Sequence, residues 1–253
     1  MGFEVAAEAY GRFMGRFSEP LAGAFADFAG VGPGRRALDV GCGPGALTAE
    51  LVRRLGDGHV TGIDPSEAFV AASRARFPGV DVRLGSAEDL PFGDDVFDCA
   101  LAQLVVHFMA DPVAGLREMA RVTGPGGTVA ACVWDHAGGN GPLSPFWWAV
   151  RDLDPGAPDE SRLAGTREGE LGDLLTAAGL RDVTCDVLTV TTRFAGFDEW
   201  WEPYTLGVGP AGDYVRGLEP DRREALRARC AAVFPGQGPF DGTAAAWTAR
   251  GLA

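Results

Sequence analysis

The stretch "LDVGCGPGALT" (38–48) decides how the rest of the chain is read. An apolar run ends in three alternating glycines, Gly41, Gly43 and Gly45, and Leu47, Leu51, Val52 and Leu55 follow at helical spacing. A strand that ends in glycine and opens into a helix sets backbone N–H groups at the carboxyl edge of a sheet. There a ligand can approach without meeting a Cβ. In doubly wound sheets this first turn is the usual cofactor site. The spacing narrows the ligand, because a dinucleotide fingerprint reads GxGxxG under a pyrophosphate. The pattern GxGxG suits a cofactor that lacks one.

Working outward, "HVTGID" (59–64), "VDVRLGSA" (80–87), "VFDCALAQ" (96–103) and "TVAACVWD" (128–135) read as further strands. Between them lie helical patterns. Ser66 is placed to cap "PSEAFVAASRARF", which must stop before Pro78. Asp111 is placed to cap "DPVAGLREMARV", with Pro112 in its first turn. The glycines of "GPGG" (124–127) predict a turn. Strand–helix alternation with short crossovers implies an α/β fold, a doubly wound parallel sheet covered by helices on both faces. The second strand ends in Asp64, before Pro65, where a carboxylate can accept both hydroxyls of a ribose. The third runs into "GSAEDLPF" (85–92), which offers a backbone N–H at Ala87 or Glu88 and a carboxylate to an adenine edge.

These motifs, with "GIDPSE", "FDCALAQLVVHFM" and "REMARVTGPGGTV", resemble the successive motifs of class I S-adenosylmethionine-dependent methyltransferases of the small-molecule branch, over roughly residues 10–135. The resemblance implies a Rossmann-like methyltransferase fold: a seven-stranded, mostly parallel sheet whose last strand is antiparallel. That place falls to "GTAAAWTARG" (242–251), short enough for an edge strand. It implies S-adenosyl-L-methionine as cofactor and S-adenosyl-L-homocysteine as product. Gly41, Gly43 and Gly45 would pass under the methionine part, with Asp39 orienting the loop. Asp64 and Pro65 would stand at the ribose, Ala87 and Glu88 at the adenine, and Gln103 at the amino-acid end. The N-terminal "EAYGRFMGRFS" resembles a helical cap over the cofactor, with Tyr10 as its contact.

At 253 residues the chain suits one domain, 1–253, with the cap in 1–30 and Gly/Pro-rich insertions at 136–165 and 194–236 as lid or pocket wall. A formal charge of −13 argues against nucleic acid or an anionic membrane surface as partner. The five cysteines form no CxxC pair and read as free thiols of a cytoplasmic protein. The first residues have no signal-peptide pattern, and no apolar run is long enough to span a membrane. No His–His or Cys–His spacing suggests a metal.

Methyl transfer from a sulfonium is an in-line displacement that depends mainly on positioning and water exclusion. Candidate bases are His107 after the fourth strand and His136 after the fifth, both in carboxyl-edge loops. Five of six tryptophans lie in or beside the insertions. Of these Trp134, Trp147, Trp200 and Trp201, with Phe146 and Tyr204, are expected to wall a pocket for a flat or apolar small molecule, or else to glue the insertions to the core or to a second copy in a homodimer. The function expected is methyl transfer to O, N or C of a small metabolite. The alternative is a cofactor-binding scaffold or cyclase that transfers no methyl.

Overall fold

The computed structural model describes residues 11–253 except 158, 159, 235 and 237. Seven strands, β1 (Ala37–Val40), β2 (Val60–Asp64), β3 (Asp81–Leu84), β4 (Phe97–Gln103), β5 (Thr123–Trp134), β6 (Arg181–Phe194) and β7 (Phe240–Leu252), form one sheet. Their order is β3-β2-β1-β4-β5-β7-β6. β1 to β5 pair in parallel, and β7 is antiparallel to both β5 and β6. The order reverses between β1 and β4, which places the topological switch point, and hence the cleft, at the carboxyl end of β1.

Two local expectations change. "GTAAAWTARG" is antiparallel as expected, yet it lies inside the sheet between β5 and β6 and is not an edge. Its Ala244, Ala246 and Ala249 are fully enclosed, as small side chains in an interior strand can be. The edge is β6, whose Val187 is exposed. "GPGG" does not turn the chain. It lies within β5, where the register with β4 jumps from Phe97↔Thr123 to Cys99↔Thr128, a bulge with Gly126 at φ +76°.

The helices in the first half follow their signals. Helix α1 is Arg16–Phe28, α2 is Ala46–Leu55, α3 is Glu67–Arg76 and α4 is Pro112–Val122. The Phe69 N–H donates to the Ser66 hydroxyl at 3.4 Å, and the Ala114 N–H to the Asp111 carboxylate at 3.0 Å. The later segments are more helical than their composition suggests. They contain α5 (Ser144–Leu153), α6 (Glu170–Ala177), α7 (Phe197–Trp201), α8 (Gly209–Arg216) and α9 (Pro220–Ala231). Prolines sit in the first turn of α5, α8 and α9, where the missing N–H would have no helical partner anyway.

Two apolar layers cover the sheet. On one face Phe17, Leu21 and Phe25 of α1, one helical turn apart, pack with Leu47 and Leu51 of α2. On the other, Leu116 and Met119 of α4 and Leu171 and Leu175 of α6 belong to one cluster with Leu38 and Val40 of β1, α6 lying over β6 and β7. β1 is therefore buried on both faces, and its end is held rigidly where the glycine loop begins.

Candidate functional site

The loop after β1 is shaped by its glycines. Gly41 has φ +69°, and a Cβ there would lie 2.4 Å from the Val105 side chain. Gly43 has φ +53°, and a Cβ there would meet nothing within 4 Å. Gly41 is glycine because the protein is too close; Gly43 leaves room for something else. Gly45, also at positive φ, precedes α2, and a Cβ there would lie 2.5 Å from the Phe77 ring.

Two acids hold this loop. Asp39 is only 1% exposed and accepts a hydrogen bond from the Thr48 hydroxyl at 2.6 Å. Burial pushes its carboxyl up to about 7, Thr48 opposes that, and nearby Asp64 adds to it. Asp64 accepts from the Gly43 N–H with one oxygen and the Ser66 N–H with the other, each at 2.9 Å. Burial raises its pKa against those two donors. A carboxylate has about four acceptor sites. With two used, Asp64 keeps acceptor capacity while bracing the loop.

Beneath the loop is a cleft of ≈ 310 Å³, lined in part by Ser18, Asp39, Gly43, Gln103 and Leu104. Gln103 donates from Nε2 to the Ser18 carbonyl at 2.9 Å. Its Oε1 and the Ser18 hydroxyl are enclosed with no hydrogen-bond partner. Leaving buried polar atoms unpaired is costly, and such atoms lining a cleft call for a ligand's donor or acceptor. The amino-acid end of S-adenosylmethionine carries both, and the open side of Gly43 admits it without a Cβ. The residues here fit that group. Its chemistry when bound is an activated methyl on sulfur.

Ser18 and Thr48 were not singled out in the sequence. Ser18 belongs to "EAYGRFMGRFS", where a serine beside the Phe17–Leu21–Phe25 stripe was the available signal; Thr48 lies nine residues after Asp39 with no motif linking the pair. Tyr10 lies outside the described residues. Asp64, Pro65, Ala87 and Glu88 stand on the neighbouring strand ends and do not line the enclosed cleft. Pro65 is exposed where β2 turns into α3, and Ala87 is buried next to Gly115. Glu88 also bonds within the protein and, like Asp64, has acceptor sites left over. One of its oxygens accepts from the Ala110 N–H at 2.8 Å and the other from the Ser86 hydroxyl, so the carboxylate straps two carboxyl-edge loops together.

A second cavity, ≈ 490 Å³, adjoins the first. Leu104, at the strained φ of +62° just past β4, belongs to both linings. The second cavity also contains His107, Phe108, Trp134, His136 and Leu143. Burial keeps the His107 imidazole well below its ordinary pKa, and His136, with ring centroids 6.1 Å apart, reinforces this. His107 is therefore neutral at physiological pH. Its Nδ1 and the Trp134 Nε1 are enclosed without partners.

The expected aromatic wall divides. Trp134 lines this cavity, whereas Phe146, Trp147, Trp200, Trp201 and Tyr204 do not. Phe146 and Tyr204 stack at 4.6 Å between centroids, Trp200 packs on Tyr204 at 4.7 Å, and Trp201 lies against Phe197. Trp147 donates its indole N–H to Glu160 at 3.0 Å. These rings are buried on one another because large aromatic surfaces are stabilised most by mutual packing. Trp200 and Tyr204 do border a smaller space, ≈ 280 Å³, under Phe13 and Phe17. Among the described residues, no cluster of His, Cys, Asp or Glu could hold a metal ion, and no helix is long and apolar enough to cross a membrane.

Residues 38–131 match the family model of the methyltransferase domain. The chain is 42% identical over 99 residues to an uncharacterized 37.1 kDa protein of a Streptomyces fradiae transposon, covering 38% of this chain and 29% of that protein. It is 40% identical over 102 residues to a demethylmenaquinone methyltransferase of Mycobacterium tuberculosis, covering 40% of this chain and 42% of the relative. The chain thus spans less than half the length of these curated relatives. Among solved structures it resembles geranyl diphosphate C-methyltransferase of Streptomyces coelicolor, which holds S-adenosyl-L-homocysteine. The TM-score is 0.55 at 16% identity, over 94% of this chain and 80% of that one.

Proposed function

We propose that the chain carries a class I S-adenosylmethionine-dependent methyltransferase domain and transfers the methyl group of S-adenosylmethionine to a small molecule, a reading that the matched methyltransferase-domain model and the shared fold support. The observation that carries this reading is the pair of cavities meeting at Leu104: one polar and glycine-walled, the other apolar with a neutral histidine. Donor and acceptor held on the two sides of Leu104 would face each other, as an in-line displacement requires. Ser18 and Gln103 take the amino-acid end, Asp64 the ribose, and Ala87 the adenine edge. The helices of 136–165 and 194–236 serve as a lid that keeps water from the acceptor side.

Calorimetry with S-adenosylhomocysteine tests the donor half. Asp64→Ala should weaken binding by about 1.5–3 kcal/mol, the range for hydrogen bonds to a charged group. Affinity equal to that of the unaltered chain would remove Asp64 from the site. S-adenosylhomocysteine accumulating only when an acceptor is present would separate methyl transfer from mere cofactor binding by a scaffold or cyclase.

A further inference from the structure

We infer that the ≈ 490 Å³ cavity selects an acceptor that carries a positive charge, an organic ammonium on a small apolar body, with Glu160 as its counter-charge. The inference rests on the methyltransferase reading and assigns the substrate class that reading leaves open.

Glu160 is 5% exposed and belongs to the cavity wall, yet methyl transfer as derived so far gives it no task. A carboxylate taken out of water is costly unless it is both hydrogen-bonded and paired with a cation. Glu160 accepts from the Trp147 indole N–H at 3.0 Å, and a carboxylate has about four acceptor sites. Among the described residues no arginine forms an ion pair with it. The chain contains no lysine at all. Arg151 borders a separate, smaller space of ≈ 220 Å³ that Glu160 also lines, and it is absent from the wall of the acceptor cavity. A cation brought by the ligand supplies the missing partner.

The rest of the wall agrees. Phe13, Phe108 and Trp134 bring aromatic rings to it, and an ammonium group is attracted to a ring face. Met14, Leu143 and Ala211 suit an apolar body. No arginine lines the cavity to repel a cation or to hold an acid, and the burial that keeps His107 neutral removes another positive charge. At longer range, a formal charge of −13 draws cations toward the protein and disfavours anions. An anionic acceptor would meet Glu160 as a like charge. A neutral one would leave the buried carboxylate without a counter-charge.

Binding of benzylamine, benzyl alcohol and benzoate at about pH 7 to the full chain, saturated with S-adenosylhomocysteine, tests the assignment. The three probes share one ring and differ in charge, and at that pH the amine is cationic. Benzylamine should bind about tenfold more tightly than benzyl alcohol, as expected for a hydrogen bond to a charged group, and benzoate should bind most weakly. Glu160→Gln keeps an oxygen for the Trp147 indole N–H and removes the charge. It should bring benzylamine down to the affinity of benzyl alcohol and leave the alcohol unchanged. The three probes on the unaltered chain make the same test if that variant fails to fold. Equal affinity for amine and alcohol would overturn the inference, as would a preference for benzoate or no detectable binding of any probe. An amine preference that survives in Glu160→Gln would overturn it too. If S-adenosylhomocysteine itself does not bind, the methyltransferase reading fails; if it binds and the amine is not preferred, only the substrate class fails.

Discussion

The two cavities that meet at Leu104 are built on opposite plans. The glycine-walled cleft is made largely from one sequence-local device: a strand end, a loop of left-handed glycines and the first turn of a helix, braced by Asp39 and Asp64. The histidine cavity is assembled from pieces far apart in the chain. Phe13 and Met14 precede α1, His107 follows β4, Trp134 ends β5, and Val208 to Ala211 begin α8. A cleft walled by backbone can be recognised from a short motif. A cavity walled by side chains from four segments is recognised only after folding has brought them together.

The sharpest way to break that comparison is at the aromatic cluster behind the second cavity. Phe146 is fully buried and stacks on Tyr204. Phe146→Ala should cost about 3–5 kcal/mol of stability, the usual range for emptying an aromatic core site. Chemical denaturation measures it. If the cluster were a pocket wall, the variant would keep its stability and lose acceptor binding, and the division between packing aromatics and Trp134 would collapse.

Next in size are Gly41 and Gly43, two positions of one loop with different reasons for glycine. Gly41→Ala drives a Cβ into Val105 and should lower stability. Gly43→Ala meets open space in the protein, so its cost to folding is the backbone strain alone, about 1–2 kcal/mol. It should still weaken S-adenosylhomocysteine binding by about 1–3 kcal/mol, because the methyl group occupies ligand space. Thermal unfolding and calorimetry on the pair separate the effects. Unchanged affinity in folded Gly43→Ala would place the ligand on the other side of the loop.

These cases show what the sequence could and could not say. β1 to β5 and their helices were legible because caps, prolines and apolar runs act locally, as at Ser66 and Asp111. The interior place of β7 was not, because whether a strand is an edge depends on which partner arrives on its far side, here β6. The 136–165 and 194–236 helices were obscured by Pro145, Pro210 and Pro220, which look like loop residues until their first-turn positions are known. Within the site, the strand-end positions of Asp39, Asp64 and Gln103 could be read from alternation. The unpartnered oxygen of Ser18 could not, since it is brought to the cleft by the packing of α1 on the sheet. Glu88 stands at the end of the third strand, and its bonds to Ala110 and Ser86 run through loops that the motif does not describe.

The last prediction concerns pH and the acid beneath the glycine loop. In the native chain Asp39 holds its proton to about pH 7, whereas the ordinary aspartate value is 3.8. The native state therefore binds more protons between those two values. Stability from this residue is fully present below the lower one and is lost as pH rises through the upper one. Asp39→Asn keeps an oxygen for Thr48 and removes the titration. Its stability to denaturant relative to the unaltered chain should thus rise between pH 4 and pH 8, by up to about 4 kcal/mol, since the shift spans about three pKa units at about 1.4 kcal/mol each. Cofactor binding should move the opposite way. The sulfonium and ammonium of S-adenosylmethionine favour the ionised form of Asp39, so affinity in the unaltered chain should rise as pH passes 7. S-adenosylhomocysteine, which lacks the sulfonium charge, should show less of that rise, and Asp39→Asn should flatten both curves. Parallel pH dependence for the two ligands would mean that Asp39 stabilises the loop through Thr48 without sensing the charge on sulfur.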